Sequence, residues 1–327
     1  MNIAKPPAVE PKSGGGILCA GALTVDTLVG PFKNLHWGTT TYVDSIESRV
    51  GGSAANTACA LRILGVPVRV SAFLGADEAA DTILRELNRC GVDVSPIITI
   101  DESTPQTVAL VSSSGDRQFL HRKGCSEVAF KDGLSFTPEL IAGISHFHLA
   151  SLFVVTHLRQ QAPSMLERAR IAGLTTSLDT CWDPLGDWLR VLRPCLPYVD
   201  VLFINEDEAK QCCGAGESGA DLARSILRSG TGMVVMKKSC EGCRIYTQPE
   251  EIVCPAYEVE ARDTTGAGDC FVAGFLASHL EGQSAQNAGL MGNAAGALSV
   301  QAMGALGGLL PRLEMEHWMA RTPLRMA

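Results

Sequence analysis

The sequence predicts an α/β protein of three layers, α/β/α, with a mostly parallel central sheet and a small inserted β-sheet as a lid. Three observations carry this. Short apolar runs alternate with amphipathic segments for most of the length, and strands linked by helical crossovers form parallel sheets covered on both faces. Two stretches, residues 24–50 and 95–128, hold β-rich pieces with no helix between them. Two glycine-rich segments, Gly51-Gly52 and Gly266-Ala267-Gly268, each lead into a helical stretch.

In chain order, residues 17–23 read as a strand and 53–64 have helical spacing. Residues 68–74 are again a strand, and 77–90 a helix with Asp77 as its N-cap. The β-rich stretches contribute strand pieces at 41–43, 107–112 and 118–121. Then follow 144–150 (strand), 159–172 (helix), 175–179 and 199–204 (strands), 205–212 and 218–229 (helices) and 233–237 (strand). Two long small-residue helices, 269–280 and 284–303, close the pattern. A small β unit beside a parallel sheet commonly covers the ligand crevice.

The 327 residues, 46% of them hydrophobic, suffice for one large domain over 17–327 behind a flexible tail at 1–16. The tail lacks the apolar stretch of a signal peptide. No apolar run approaches the ~20 residues of a spanning helix, so a cytoplasmic protein with no membrane partner is expected. The net charge of −8 argues against a nucleic-acid partner. The 12 cysteines are scattered. Cys240 and Cys243 form a C-x-x-C with no second pair for zinc, so all read as reduced thiols.

Gly214-Ala215-Gly216-Glu217-Ser218-Gly219 matches G-x-G-x-x-G but follows a predicted helix, and the dinucleotide fingerprint must follow a strand. No G-x-x-x-x-G-K-[ST] occurs. In Gly51-Gly52-Ser53-Ala54-Ala55-Asn56, glycines permit close approach of a ligand and Ser53 is placed to cap the helix. Asn56, one turn in, offers a donor and an acceptor to a hydroxylated ligand. The same residues also fit an ordinary glycine turn.

Asp263-Thr264-Thr265-Gly266-Ala267-Gly268-Asp269 places the N–H groups of Ala267, Gly268 and Asp269 at a helix N-terminus, an anion site. A carboxylate there makes sense as a base that deprotonates a hydroxyl attacking a phosphoryl group, and the helix terminus favours its ionised form. An Asp cap after a glycine loop fits equally. Asn205-Glu206-Asp207-Glu208 follows a strand end, where ligands sit in open parallel sheets. It fits Mg²⁺ waters and a phosphate oxygen, or simply an acidic first helical turn. Asp26, just past the first strand, fits ligand hydroxyls or a turn.

Together these segments, in order from about residue 17 to 309, resemble the ribokinase-like (PfkB) carbohydrate kinase family. Gly51–Asn56 looks like its first signature, Asp263–Phe271 like its second, and Asn205–Glu208 fits its N-x-x-E. Phe73-Leu74-Gly75-Ala76-Asp77 and Cys90-Gly91-Val92-Asp93 also fit its usual wording. The resemblance implies a cytoplasmic ATP-dependent kinase transferring a phosphoryl group in line to a sugar hydroxyl, with Mg²⁺, and a homodimer formed through the lid. It implies Asp269 as base and the amides of Gly266, Ala267 and Gly268 as stabilisers of the transferring phosphoryl. Asp26, Gly51, Gly52 and Asn56 would hold the sugar. Asn205, Lys237, Ser239, Gly242, Gly268 and Asn293 would meet ATP, and Glu208 would reach Mg²⁺ through water. A monovalent cation, K⁺, would sit near Asp263, Thr265, Ser299, Ala302 and Gly304. Phe119, His121 and Arg122 on a lid strand would touch substrate, or form a solvated β edge.

Ser53 stands where the family's ribokinases and sugar-phosphate kinases carry Lys, and Ser239 where the nucleotide turn has Gly. Ala80 also departs from a frequent Gly. The rival readings are a nucleoside kinase, a 2-keto-3-deoxy sugar-acid kinase using Arg122 and Lys123, and a non-catalytic binding protein on the same fold.

Overall fold

A computed structural model describes residues 14–114, 117–214 and 216–325. The predicted tail lies outside the described residues up to position 13, and Gly16 already opens the first strand. In the first half come β1 (Gly16–Ala20), β2 (Thr24–Phe32), β3 (Ser45–Gly51), α1 (Ser53–Ile63), β4 (Val68–Ser71), β5 (Phe73–Leu74), α2 (Glu78–Arg89), β6 (Ile98–Thr99), β7 (Gln106–Ser112), β8 (Arg117–Arg122), α3 (Pro138–Ile141) and β9 (Ile144–Leu149). The second half holds α4 (Leu158–Ile171), β10 (Thr175–Asp179), α5 (Leu189–Leu192), β11 (Val201–Asn205), α6 (Glu206–Cys212), α7 (Gly219–Arg228), β12 (Met233–Lys237), β13 (Cys243–Tyr246), β14 (Glu251–Cys254), α8 (Ala267–His279), α9 (Ala285–Ser299) and α10 (Arg312–Met319).

Among the described residues the main sheet has eight strands in the order β14-β13-β12-β11-β10-β9-β1-β4. The run from β12 to β4 is parallel, and β13 and β14 add an antiparallel edge. The central strands are buried on both faces: β11 reads as an apolar run over Val201–Ile204, while β10 buries Thr175, Thr176 and Ser177, whose hydroxyls are hydrogen-bonded to His146, the Tyr198 carbonyl and His148. One core holds Leu61 of α1, Ile83 of α2, Phe271 and Phe275 of α8, Ala294 of α9 and Met315 of α10. The other holds Met165 of α4, Leu192 of α5, Ala209 of α6 and Ile226 of α7. These are the two outer layers of the predicted α/β/α fold. The helices α8 and α9 approach closely at Gly274, where a Cβ would lie 2.6 Å from the Met291 carbonyl oxygen.

The two β-rich stretches form a separate four-stranded sheet, β3-β2-β7-β8. Its register sets Asp26 between Arg49 and Thr107. Several element predictions need correction. The strand expected over 68–74 divides at Ala72, with β4 joining the main sheet and β5 pairing with β6. Residues 41–43 form no strand, and pairing begins at Ser45. The helix expected to reach 303 ends at Ser299, and β13, β14 and α10 had not been anticipated. Asp77 does cap α2, accepting from the Ala80 N–H at 3.0 Å. No helix among the described residues is long and apolar enough to cross a membrane.

Candidate active site

Parallel sheets gather function at the carboxyl ends of their strands. Asp179 closes β10, Asn205 closes β11 and Lys237 closes β12. The Lys237 ammonium contacts the Asp179 carboxylate at 2.6 Å, and both side chains are largely buried. Burial pushes Asp179 up to about 7 against the pull of Lys237. Burial alone would lower Lys237, but the carboxylates of Asp179, Glu208 and Asp269 outweigh it and hold the ammonium above its ordinary value. Sequence reading missed Asp179. Its one signal is an acidic residue at the carboxyl end of a predicted strand.

Helix α8 starts at Ala267, two residues before the expected start, because Gly266 caps it in the left-handed conformation (φ 71°). A Cβ there would lie 2.3 Å from the Ala305 Cβ, so the loop requires glycine. Asp269 is therefore the third helical residue and not a cap. The expectation of three unpaired amides is also corrected. The Ala267 N–H donates to the Thr264 carbonyl at 3.3 Å, which leaves Gly268 and Asp269 as the first-turn donors without an intrahelical acceptor.

Asp269 lies deep in the protein yet keeps some solvent access. Its Oδ2 accepts a hydrogen bond of 2.7 Å from Asn56 Nδ2. The expectation of a readily ionised carboxylate is moderated. Burial pushes its pKa up to about 6, against the downward pull of the Asn56 bond, the Lys237 charge and the Ser53 hydroxyl. It is still mainly ionised at neutral pH. Ser53 is not the cap of α1. Gly52 (φ 91°) takes that place, and Ser53 is the first helical residue.

Beside this group, the Gly51 backbone packs on Asp26, since a Cβ on Gly51 would lie 2.0 Å from Asp26 Oδ2. Burial raises the Asp26 pKa, opposed by the Thr107 and Thr24 hydroxyls and nearby His121. His121 Nδ1 lies 3.1 Å from the Thr107 hydroxyl. Phe119 is exposed, and Arg122 donates to the Thr104 carbonyl at 3.3 Å.

The six residues expected at ATP, Asn205, Lys237, Ser239, Gly242, Gly268 and Asn293, all line one cavity of about 440 Å³. Ser239 holds φ 52°, a left-handed conformation that favours glycine. Asn293 donates to the carbonyls of Cys254 and Pro255 at 2.9 and 3.0 Å, tying α9 to the cavity wall. Arg325 also lines this cavity, and sequence reading gave no hint of it.

Asn205 and Glu208 form a reciprocal capping box at the start of α6. Glu208 is buried, and its Oε2 accepts from the Asn205 N–H at 3.1 Å and the Thr180 hydroxyl at 2.6 Å. Farther along, Asp263 Oδ1 accepts from the Thr265 N–H and hydroxyl at 3.0 and 2.7 Å, and Oδ2 from the Gly304 N–H at 2.9 Å. The expected cation residues 263–265 and 299–304 are thus brought together, since the Asp263 N–H also donates to the Val300 carbonyl. Cys240 is exposed while Cys243 is buried on β13, so the C-x-x-C pair does not share a surface.

The chain matches the model of the pfkB family carbohydrate kinases over residues 17–312. It is 26% identical over 309 residues to a 2-dehydro-3-deoxygluconokinase of Bacillus subtilis, covering 91% of this chain and 95% of that protein. It is 31% identical over 258 residues to an ATP-dependent ribose-1-phosphate kinase of Halopiger xanaduensis, covering 78% and 81%. Among solved structures, an Arabidopsis thaliana ribokinase complexed with ribose and ATP superposes with a TM-score of 0.81 at 22% identity, covering 94% of this chain and 99% of the other.

Proposed function

The chain belongs to the pfkB family of carbohydrate kinases and is an ATP-dependent sugar kinase, and we propose that Asp269 is its general base. The observation that carries this is the position of Asp269. It is bonded to Asn56 of the Gly51–Asn56 segment on one side and on the other adjoins Gly268, which lines the cavity of about 440 Å³. A sugar hydroxyl held by Asp26, Gly51, Gly52 and Asn56 gives its proton to Asp269. Its oxygen attacks the terminal phosphoryl of ATP in line, and ADP leaves. The loop amides of Gly266, Ala267 and Gly268, chiefly that of Gly268, stabilise the charge on the transferring group.

ATP occupies the cavity of Asn205, Lys237, Ser239, Gly242, Gly268 and Asn293. The donor set fits a polyphosphate, with Lys237, Lys238 and the N-terminus of α8 at Ala267 and Gly268 in its lining. Glu208 would hold Mg²⁺ through a water at Oε1, its Oε2 being engaged, and the ion would neutralise phosphate charge there. Asp263 and Thr265 would organise backbone carbonyls around a K⁺ ion. The small sheet is the lid, and its exposed Ile46, Phe119 and Leu120 fit a homodimer formed through it.

A sugar acid is the second reading, favoured by the length of the match to the gluconokinase relative. The test is ADP release across sugars, sugar acids and nucleosides, with and without K⁺. Turnover of a sugar or sugar acid supports the reading. Binding without turnover of any panel member overturns it.

A further inference from the structure

A second cavity, of about 700 Å³, lies between β3, α1, α2 and the loop 303–307, with Asn56 in its lining. Its lining carries Arg49, Arg85 and Arg89 against one acidic residue, Glu86. That is three positive charges to one negative in a chain of net charge −8. Glu86 is occupied: Arg89 Nε and Nη2 donate to its two oxygens at 2.8 and 2.7 Å. Glu47, outside the lining, takes Arg49 Nη2 at 2.5 Å. Among the described residues, Arg49 Nη1 is buried with no hydrogen-bond partner, and Arg85 reaches only the Thr82 hydroxyl, at 3.1 Å. Val50, Ala55, Ile63 and Leu306 supply an apolar wall.

A buried guanidinium N–H without an acceptor is costly, and a phosphate oxygen is its best complement. A cavity of this size suits a small organic molecule. We propose that it binds a phosphomonoester carrying an apolar body, at a site that shares no residue with the nucleotide cavity and only Asn56 with the proposed sugar-binding set. Its floor is coupled to the catalytic loop. Arg49 Nη1 lies against Gly304, where a Cβ would come within 2.5 Å of it. The Gly304 N–H bonds Asp263, and the Cys270 thiol donates to the Ala305 carbonyl at 3.2 Å. Occupancy therefore changes the restraint on the loop that carries Gly266 and Asp269.

The test uses the full-length protein saturated with MgADP, titrated calorimetrically with phenyl phosphate and with inorganic phosphate. Phenyl phosphate binds more tightly than phosphate to the wild type. Arg85→Glu, an exposed helix position, weakens both by more than about tenfold, the loss expected for one charge-assisted hydrogen bond, with unchanged MgADP affinity and melting temperature. Arg49→Gln weakens both as well. Equal binding by wild type and Arg85→Glu, or no binding of either probe to the wild type, overturns the proposal.

Discussion

The side-chain amide of Asn56, one turn into α1, donates to Oδ2 of Asp269 at the start of α8 over 2.7 Å, joining segments 213 residues apart. This bond belongs to the charged form of the carboxylate and opposes the burial that raises its pKa to about 6.

A pH dependence follows. The base works ionised, so kcat/KM falls as pH drops below about 6, with Asp269 protonation as the acid limb. Asn56→Ala removes a bond that favours the ionised form, so the limb moves to higher pH. At pH 6 the rate falls by about tenfold or more, the worth of a hydrogen bond to a charge. A pH–rate series on both proteins checks this. An unmoved limb assigns the titration elsewhere.

The Lys237–Asp179 contact yields a stability prediction. Both groups are largely buried, so removing one partner strands the other. Asp179→Ala costs about 3–5 kcal/mol in urea unfolding. The double variant Asp179→Leu/Lys237→Met costs much less, because no uncompensated charge remains. Equal losses in the single and double variants would show that packing, not charge, dominates. The raised Asp179 pKa also gives a sign. Its contribution is present below the unfolded value of an aspartate and is lost as pH rises toward about 7.

Ser239 offers a gain. Its φ of 52° costs a non-glycine residue roughly 1–2 kcal/mol, partly offset by the greater unfolded-state freedom of glycine. Ser239→Gly therefore stabilises by about 0.5–1 kcal/mol and leaves the KM for ATP unchanged or lower. Thermal unfolding and ATP titration read both effects, and a lowered melting temperature counts against the backbone argument.

How far the sequence carried depends on the physics of each feature. The strand β12 is a contiguous apolar run, Met233–Met236, closed by Lys237, and its bounds were legible. So was the N-cap of α2, because Asp77 makes its bond to Ala80 three residues away. The start of α8 was misplaced because its cap is a left-handed glycine, which has no side chain to announce it. The break at Ala72 was invisible because no Gly or Pro interrupts residues 68–74, although β4 and β5 pair in different sheets. The site's residue types were legible from local motifs. Their contacts were not: Lys237 meets Asp179 across 58 residues because β10, β11 and β12 lie side by side, a matter of topology and not of spacing.

The central claim is that Asp269 removes the acceptor proton, and Asp269→Asn tests it most directly. The substitution keeps shape and removes the base, so kcat falls by ~10²–10⁴-fold on an acceptor that the wild type turns over. ATP affinity and melting temperature stay near those of the wild type. A variant that retains full kcat would contradict the account.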